Sequence, residues 1–388
     1  MKVKHFILGL LLCMSAGNAF ATDVLVVRDV NITPDGKARM AIQGTFDTEC
    51  KAFQLDIQVP AGITVSDVAV GFTGTDHAFS PIADQGGNVY RLVLSSASNA
   101  AMPTGDVRFA TVVLSASGLT ADTQLDAKVI NAEFSDKNNQ AVTPADVEFK
   151  VNVNNKVILD EEDAAEPVST NAPVDIKVIR NIKAGECSTL CLPFDMSYDQ
   201  VKAAFGDNVK FYEFSDFSVD GDKVTVTFEE SDIAGDKFYA NCPYIIKTDQ
   251  NIPNFTVTAQ IDSDEENTFA EYTNGKTGNK KVVYGTFTGT YHAGTLIEDD
   301  NLFLNGGKFW FSAGKTKSKA FRGYLSLKGV VKSSSAPILN LIDNAGTTGI
   351  SSVKNDQNGE DFYNLNGQRV ANPQKGLFIK NGKKVIVK

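Results

Sequence analysis

Apolar and polar side chains alternate with a period of two along much of this chain. In Phe53-Gln-Leu-Asp-Ile-Gln-Val59 the apolar residues occupy every second position, which predicts a strand with one buried and one wet face. The same reading places strands at Asp23–Val30, Ala38–Gly44, Ala52–Val59, Val68–Phe72, Val89–Ser95, Val107–Ser115, Leu125–Phe134 and Val147–Val153. Turn signals separate them at short intervals: Pro34-Asp-Gly36, Pro60-Ala-Gly62, Gln85-Gly-Gly87 and Pro103-Thr-Gly105. Short strands with this punctuation define a sandwich or barrel, here spanning residues 22–155.

A second β-rich block, 173–342, carries strand patterns at Asp175–Arg180, Thr189–Phe194, Val209–Phe214, Lys223–Phe228, Tyr239–Lys247, Phe255–Gln260, Lys281–Phe287, Lys308–Phe311 and Phe321–Leu327. One helix interrupts them. Ser197-Tyr-Asp-Gln200 has the spacing of a capping box, Val201, Ala204 and Phe205 supply an apolar stripe, and Gly206 is the stop. Between the blocks, residues 156–172 combine five acids with Pro, Ser and Thr, the composition of a solvated linker or a long acidic loop. Residues 343–358 form a second hinge, and 359–388 close the chain. In that tail, Asn366-Gly367 and Asn381-Gly382 lie between apolar or alternating runs and predict two tight hairpins. The expected fold class is therefore mainly β: two β-sandwich domains in tandem plus a small C-terminal β-hairpin unit.

Charge narrows the partners. The formal net charge is −10, which disfavours nucleic acid and anionic membrane surfaces. The tail is the exception, with no acid after Asp361 but Arg369, Lys375, Lys380, Lys383, Lys384 and Lys388. At the other end, Lys2 and Lys4 precede the apolar run Phe6–Cys13, followed by Ala19-Phe-Ala21. That is the layout of a cleavable signal peptide over residues 1–21. No later stretch reaches the ~18 apolar residues of a membrane-spanning helix.

The tail resembles the C-terminal sorting segments of Bacteroidetes-type secreted and surface proteins. The pattern is kept at Tyr363, Leu365, Gly367, Val370, Pro373, Gly376, Phe378, Ile379, Gly382, Lys383, Val385 and Lys388. The resemblance implies export through type IX secretion machinery and a secreted or outer-membrane-surface location. The first block resembles a cohesin-like sandwich, of the superfamily that also holds carbohydrate-binding modules. Phe53–Gly62, Tyr90–Ala97, Gly105–Leu114 and Ala132-Glu-Phe-Ser-Asp136 carry that likeness, which implies a binding fold. The second block resembles a repeated secreted domain of the same bacteria in Thr189–Asp195, Pro243–Lys247, Gly289–Tyr291 and Ala320–Leu325, a domain with no activity attached.

Candidate chemistry is sparse. Loss of the leader removes Cys13 and leaves Cys50, Cys187, Cys191 and Cys242. Cys187 and Cys191 are ~13 Å apart if extended, too far for a bridge. A Cys191–Cys242 disulfide (or Cys187–Cys242) stands beside buried free thiols in a β core. His77 and His292 lie in different blocks, in segments read as surface loops, and no Gly-x-Ser-x-Gly elbow is present. The acid clusters Asp262-Ser-Asp-Glu-Glu266 and Glu298-Asp-Asp300 lie in polar stretches, with few apolar neighbours to raise a pKa. No cofactor or metal site is expected, although Asp216, Asp220 and Asp222 or the Asp262/Asp264 pair leave a structural calcium open. For ligand binding the candidates are the single tryptophan, Trp310, and Tyr291. Phe309 and Phe311 share one strand face and Trp310 takes the other. Burial is the usual fate of a large aromatic, and exposure would make Trp310 an anchor for sugar or protein.

These features favour a non-catalytic secreted or cell-surface protein that binds, adheres or scaffolds, with protein or glycan at the cell surface as partner. The alternative is a secreted hydrolase of glycan or peptide, which needs two carboxyls ~5–10 Å apart in one pocket.

Overall fold

The computed structural model describes residues 23–220, 223–235, 237–263, 272–273, 284–328 and 336–343, and in the tail 362–363, 369–370, 376–380 and 383–387. The leader at 1–21, the hinge after Asp343, the acids Asp222 and Asp264-Glu-Glu266, and Gly367, Pro373 and Gly382 of the tail lie outside them. Two compact units are distinguished, Met1–Asp343 and Asn344–Lys388.

The first unit opens with a β-sandwich of twelve strands: β1 (Val24–Val27), β2 (Val30–Ile32), β3 (Lys37–Phe46), β4 (Cys50–Gln58), β5 (Ile63–Val70), β6 (His77–Phe79), β7 (Ala83–Gly86), β8 (Val89–Ser96), β9 (Gly105–Ala116), β10 (Thr123–Asp136), β11 (Ala141–Val142) and β12 (Val147–Val153). One sheet has the order β1-β3-β9-β5 and faces a larger one, β2-β12-β10-β4-β8-β6. The predicted strand Asp23–Val30 divides into β1 and β2, one for each sheet. The chain crosses between them at Arg28-Asp29, where the Asp29 carboxylate accepts from the Lys150 amide at 2.8 Å. Phe46 and Phe109 of the smaller sheet meet Phe53 and Phe134 of the larger one, with ring centroids 4.5–6.0 Å apart. All four are almost fully buried, each contributing roughly 1.5–3 kcal/mol of apolar burial. The polar side of β4 holds one buried charge. Asp56 is covered because Arg91 grips it from β8 in a two-point pair, 2.7 and 2.8 Å, and Asn131 adds a third bond at 3.0 Å.

The rest of the unit comprises β13 (Val157–Asp160), β14 (Val174–Ile179), β15 (Cys187–Leu190), α1 (Tyr198–Phe205), β16 (Lys210–Asp220), β17 (Lys223–Glu230), β18 (Tyr244–Lys247), β19 (Phe255–Ala259), β20 (Tyr272–Thr273), β21 (Tyr284–Thr290), β22 (Thr295–Ile297), β23 (Leu302–Asn305), β24 (Lys308–Phe311), β25 (Thr316–Ser318), β26 (Arg322–Lys328) and β27 (Ile338–Ile342). Its middle layer is the sheet β15-β18-β16-β17-β27. Tyr244, Ile245 and Ile246 are consecutive and all buried, so this sheet is covered on both faces. Tyr244, Ile246 and Phe211 join one core, with α1 and the sheet β13-β14-β19. Ile245, Tyr212 and Phe228 join the other, against the sheet β20-β21-β26-β23-β24. The second block thus stacks three layers where the sequence pattern suggested two. Helix α1 starts as predicted: Ser197 and Gln200 bond reciprocally, and the chain leaves through Gly206 at φ 92°.

Residues 156–172 are not a free linker. Val157–Asp160 forms β13, parallel to β14, and Glu161 is buried. Next comes a strap bonded on both sides. Arg28 donates to the Glu162 carbonyl at 2.7 Å, and Arg108 to the Ala164 carbonyl at 3.0 Å, both from the first sandwich. From the second block, the Ala320 amide donates to the Glu161 carbonyl at 2.9 Å, and the Ala293 amide to that of Asp163 at 2.6 Å. Glu161, Glu162 and Glu166 are matched by cations far away in sequence, so local composition read as solvated.

The tail unit contains β28 (Phe362–Tyr363), β29 (Arg369–Val370), β30 (Gly376–Lys380) and β31 (Lys383–Val387), in the order β29-β28-β30-β31. Tyr363 pairs with Arg369 and Ile379, and Gly376 with Val387. Lys380 pairs with Lys383, with only Asn381 and Gly382 between them, in keeping with the hairpin expected there.

Candidate binding surface

Strands β23 and β24 are joined by Gly306-Gly307, both at positive φ (58° and 71°), the requirement of a type I′ hairpin. Cross-strand register then sets the side chains. Phe303 stands opposite Trp310 on one side and opposite Tyr324 of β26 on the other, and Tyr324 in turn faces Thr288 of β21. The inward positions Leu302, Phe309, Leu325 and Phe287 are buried in the core. The outward positions therefore align Tyr324, Phe303 and Trp310 in one aromatic row across three strands.

Trp310 is 47 % exposed, so this lone tryptophan does not take the burial usual for its type. Its indole N–H donates to the Asn305 carbonyl at 3.2 Å, across the hairpin, which fixes the ring's orientation. Phe303 and Tyr324 are half-buried. Burial, helped by the charge of Glu298, pushes the Tyr324 phenol above its ordinary range, and a bond with Thr288 opposes this. Thr288 stands opposite Tyr324 and Thr286 opposite Ser326, which puts uncharged hydroxyls at the Tyr324 end of the row, and Asn305 and Lys308 stand exposed at the Trp310 end.

Tyr291, the other predicted ligand contact, is a core residue. It is 7 % exposed, and its hydroxyl donates to the Leu192 carbonyl at 3.2 Å and bonds Asn241. Its ring fills the core below Phe321, so it has no face for a ligand. Cys191 and Cys242 are free thiols here, not a disulfide. Burial pushes each thiol up to about 12. Cys50 rises to about 11, through burial and then the charges of Asp23 and Asp136. Such thiols stay protonated near neutrality and are poor nucleophiles.

His77 is buried in β6 rather than in a surface loop. Its ring nitrogens contact the Lys51 carbonyl (2.9 Å) and Thr75 Oγ1 (2.8 Å). His292 sits against the strap, 3.5 Å from Glu166, which Arg108 also holds at 3.3 Å. Burial, reinforced by the Arg108 charge, pushes His292 down to about 4, against the pull of Glu166. Among the described residues, no group of three or more His, Cys, Asp or Glu is placed to hold a metal ion, and no helix is long and apolar enough to cross a membrane. A shallow depression at the end of the first sandwich is lined by Asp47, Glu49 and Asp136, with Met102 and Lys137. The Gln140 and Asn138 backbone amides hold Asp136 below the usual carboxylate range, unsuited to a general acid. Among the described residues, the carboxyl pushed upward is Asp163, to about 6, by burial and then by Asp160, and it belongs to the strap.

No protein-family model matches the chain, and no curated protein matches it. Among solved structures, the chain is similar over 34 % of its length to a cohesin module from a Clostridium perfringens family 33 glycoside hydrolase (11 % identity, 97 % of that chain, TM-score 0.29). It is similar over the same share to a non-cellulosomal cohesin from the archaeon Archaeoglobus fulgidus (16 % identity, 91 % of that chain, TM-score 0.28). A third likeness, also over 34 %, is to the sixth cohesin of Acetivibrio cellulolyticus scaffoldin B, solved with a Cel5 dockerin (11 % identity, 99 % of that chain, TM-score 0.31). These likenesses assign no residue of this chain a role.

Proposed function

We propose that this is a non-catalytic binding protein of the cell exterior that holds its ligand on the aromatic row Tyr324–Phe303–Trp310. The observation that carries the reading is the row itself: three rings in cross-strand register on the outward face of a sheet, ending in an exposed, orientation-fixed indole. An aromatic face kept in water costs solvation that a folded chain recovers when a partner covers it. The cohesin-like sequence resemblance of the first block supports a binding class, and the leader and tail support delivery to the outside. The hydrolase alternative needs two carboxyls facing one pocket, and the raised carboxyl, Asp163, instead sits on a strap bonded to both blocks.

The test is retention of the whole protein on insoluble cellulose, xylan and mannan, and on immobilised mucin, collagen and fibronectin. The proposal expects retention on at least one of these surfaces and its loss in the double variant Phe303→Ala/Trp310→Ala, with an unchanged far-UV spectrum. Equal retention of wild type and variant, or no retention on any surface, overturns it.

A further inference from the structure

We infer that the ligand of the aromatic row is a neutral, hydroxyl-rich glycan chain lying across strands β26, β23 and β24. This rests on the reading of the row as the binding surface and assigns the chemistry of what occupies it.

Geometry favours stacking over hydrogen bonding. Adjacent strands are ~4.8 Å apart, so three rings on three strands form a row ~10 Å long. A ligand that fits must present an apolar face repeatedly along an extended chain. The indole has a single donor, and Asn305 already takes it. Thr288 stands opposite Tyr324 in the register. What the row offers along its whole length is ring faces. Pyranose units present just such a face, a patch of C–H groups on an otherwise hydroxylated ring.

The surroundings select against other occupants. Half-buried groups near the Tyr324 end of the row include Thr286, Thr288 and Ser326, which can trade hydrogen bonds with sugar hydroxyls. A protein partner seated by hydrophobic burial would instead call for further exposed aliphatic side chains around the rings. The charge balance disfavours a polyanion. Glu298 places its charge against Tyr324, Arg322 on the same strand is committed to Glu161 at 2.8 Å, and among the described residues Lys308 is an exposed cation beside Trp310. The chain as a whole carries −10. Sulfated or uronic-acid glycans would meet this field unfavourably.

The chain's single tryptophan is in the row, so its emission reports the site directly. The experiment titrates the whole protein with cellohexaose, xylohexaose and mannohexaose, and with polygalacturonate and a heparin hexasaccharide, following Trp310 emission. Calorimetry follows the variants Trp310→Ala and Trp310→Phe. The inference expects at least one neutral hexasaccharide to shift the emission. Trp310→Ala then weakens binding about tenfold, while Trp310→Phe, which keeps a ring, stays within about threefold of wild type. Binding only to the two anionic glycans overturns the neutral class. Glycan binding unchanged in Trp310→Ala overturns the site. If no saccharide binds but Phe303→Ala/Trp310→Ala still abolishes retention on a protein surface, the inference falls and the binding reading stands.

Discussion

Glu161 should be the most costly single charge to remove from this protein. Its carboxylate is 9 % exposed and receives three cations: Arg322 at 2.8 Å, Arg180 at 3.2 Å and Lys319 at 3.3 Å. Arg180 is fully buried and spends its other terminal nitrogen on the Thr189 carbonyl at 2.9 Å. Burial and the adjacent Arg322 charge both work against the Arg180 charge, and Glu161 is what offsets them. Glu161→Gln keeps the shape and removes the compensation. Arg322 and Lys319 can turn partly to water, but Arg180 cannot, so the cost is that of stranding one buried charge, about 3–5 kcal/mol. At roughly 2–4 °C per kcal/mol for a body of this size, the melting temperature should fall by about 6–20 °C. Urea unfolding at pH 7, read by circular dichroism, gives the free energy. The control is Glu162→Gln. Its carboxylate is 44 % exposed and among the described residues pairs with Lys319, so about 1 kcal/mol or less is expected. A Glu161→Gln loss under about 1 kcal/mol, or one no larger than that of Glu162→Gln, would refute the view that the strap is held by a buried charge cluster.

The strap carries one group, and packs against another, with opposite pH dependence. Asp163, raised from 3.8 to about 6, contributes stability that is present below 3.8 and lost as pH rises through about 6. His292, lowered from 6.5 to about 4, contributes stability that is present above 6.5 and lost as pH falls towards 4. Between pH 4 and 6.5, unfolding free energy should therefore rise more steeply with pH in Asp163→Asn than in wild type. In His292→Gln it should rise less steeply or fall, and parallel curves for all three proteins would contradict both assignments. Gly285→Ala should lose about 1–3 kcal/mol in urea unfolding, because its new Cβ would lie 2.9 Å from the buried rings of Phe214 and Phe217; an unchanged midpoint would show that those rings can yield. Deleting residues 359–388 should leave the protein in the periplasm on cell fractionation, and its arrival at the surface without them would end the sorting reading of the tail.

Much of the fold was legible because it is written in local pattern. Seven of the eight strands predicted in the first block each overlap one strand, Val147–Val153 with its predicted ends, and the eighth, Asp23–Val30, divides in two; alternation at Phe53–Val59 specifies a face as well as a strand. The Ser197–Gln200 box marked the helix start for the same reason: its chemistry lies within four residues. What escaped depends on partners distant in sequence. Glu161 is 19 residues from Arg180 but 161 from Arg322, so its burial is invisible in an acidic run. Tyr291 reads as a strand-end aromatic and becomes core because Leu192 and Asn241 fold over its hydroxyl. Phe303 was recoverable. Two apolar runs flank Gly306-Gly307, a two-residue hairpin signal that places Phe303 opposite Trp310. Tyr324 was not recoverable, because its place in the row follows from strand order across the sheet.

Quenching of the single tryptophan by iodide and acrylamide tests the open aromatic row most directly. Free protein should be quenched readily, as a 47 % exposed indole requires, and a saturating ligand retained by the protein should protect it. An indole shielded in the free protein, or one equally quenched with every retained ligand bound, would contradict the claim that the row is where this protein binds.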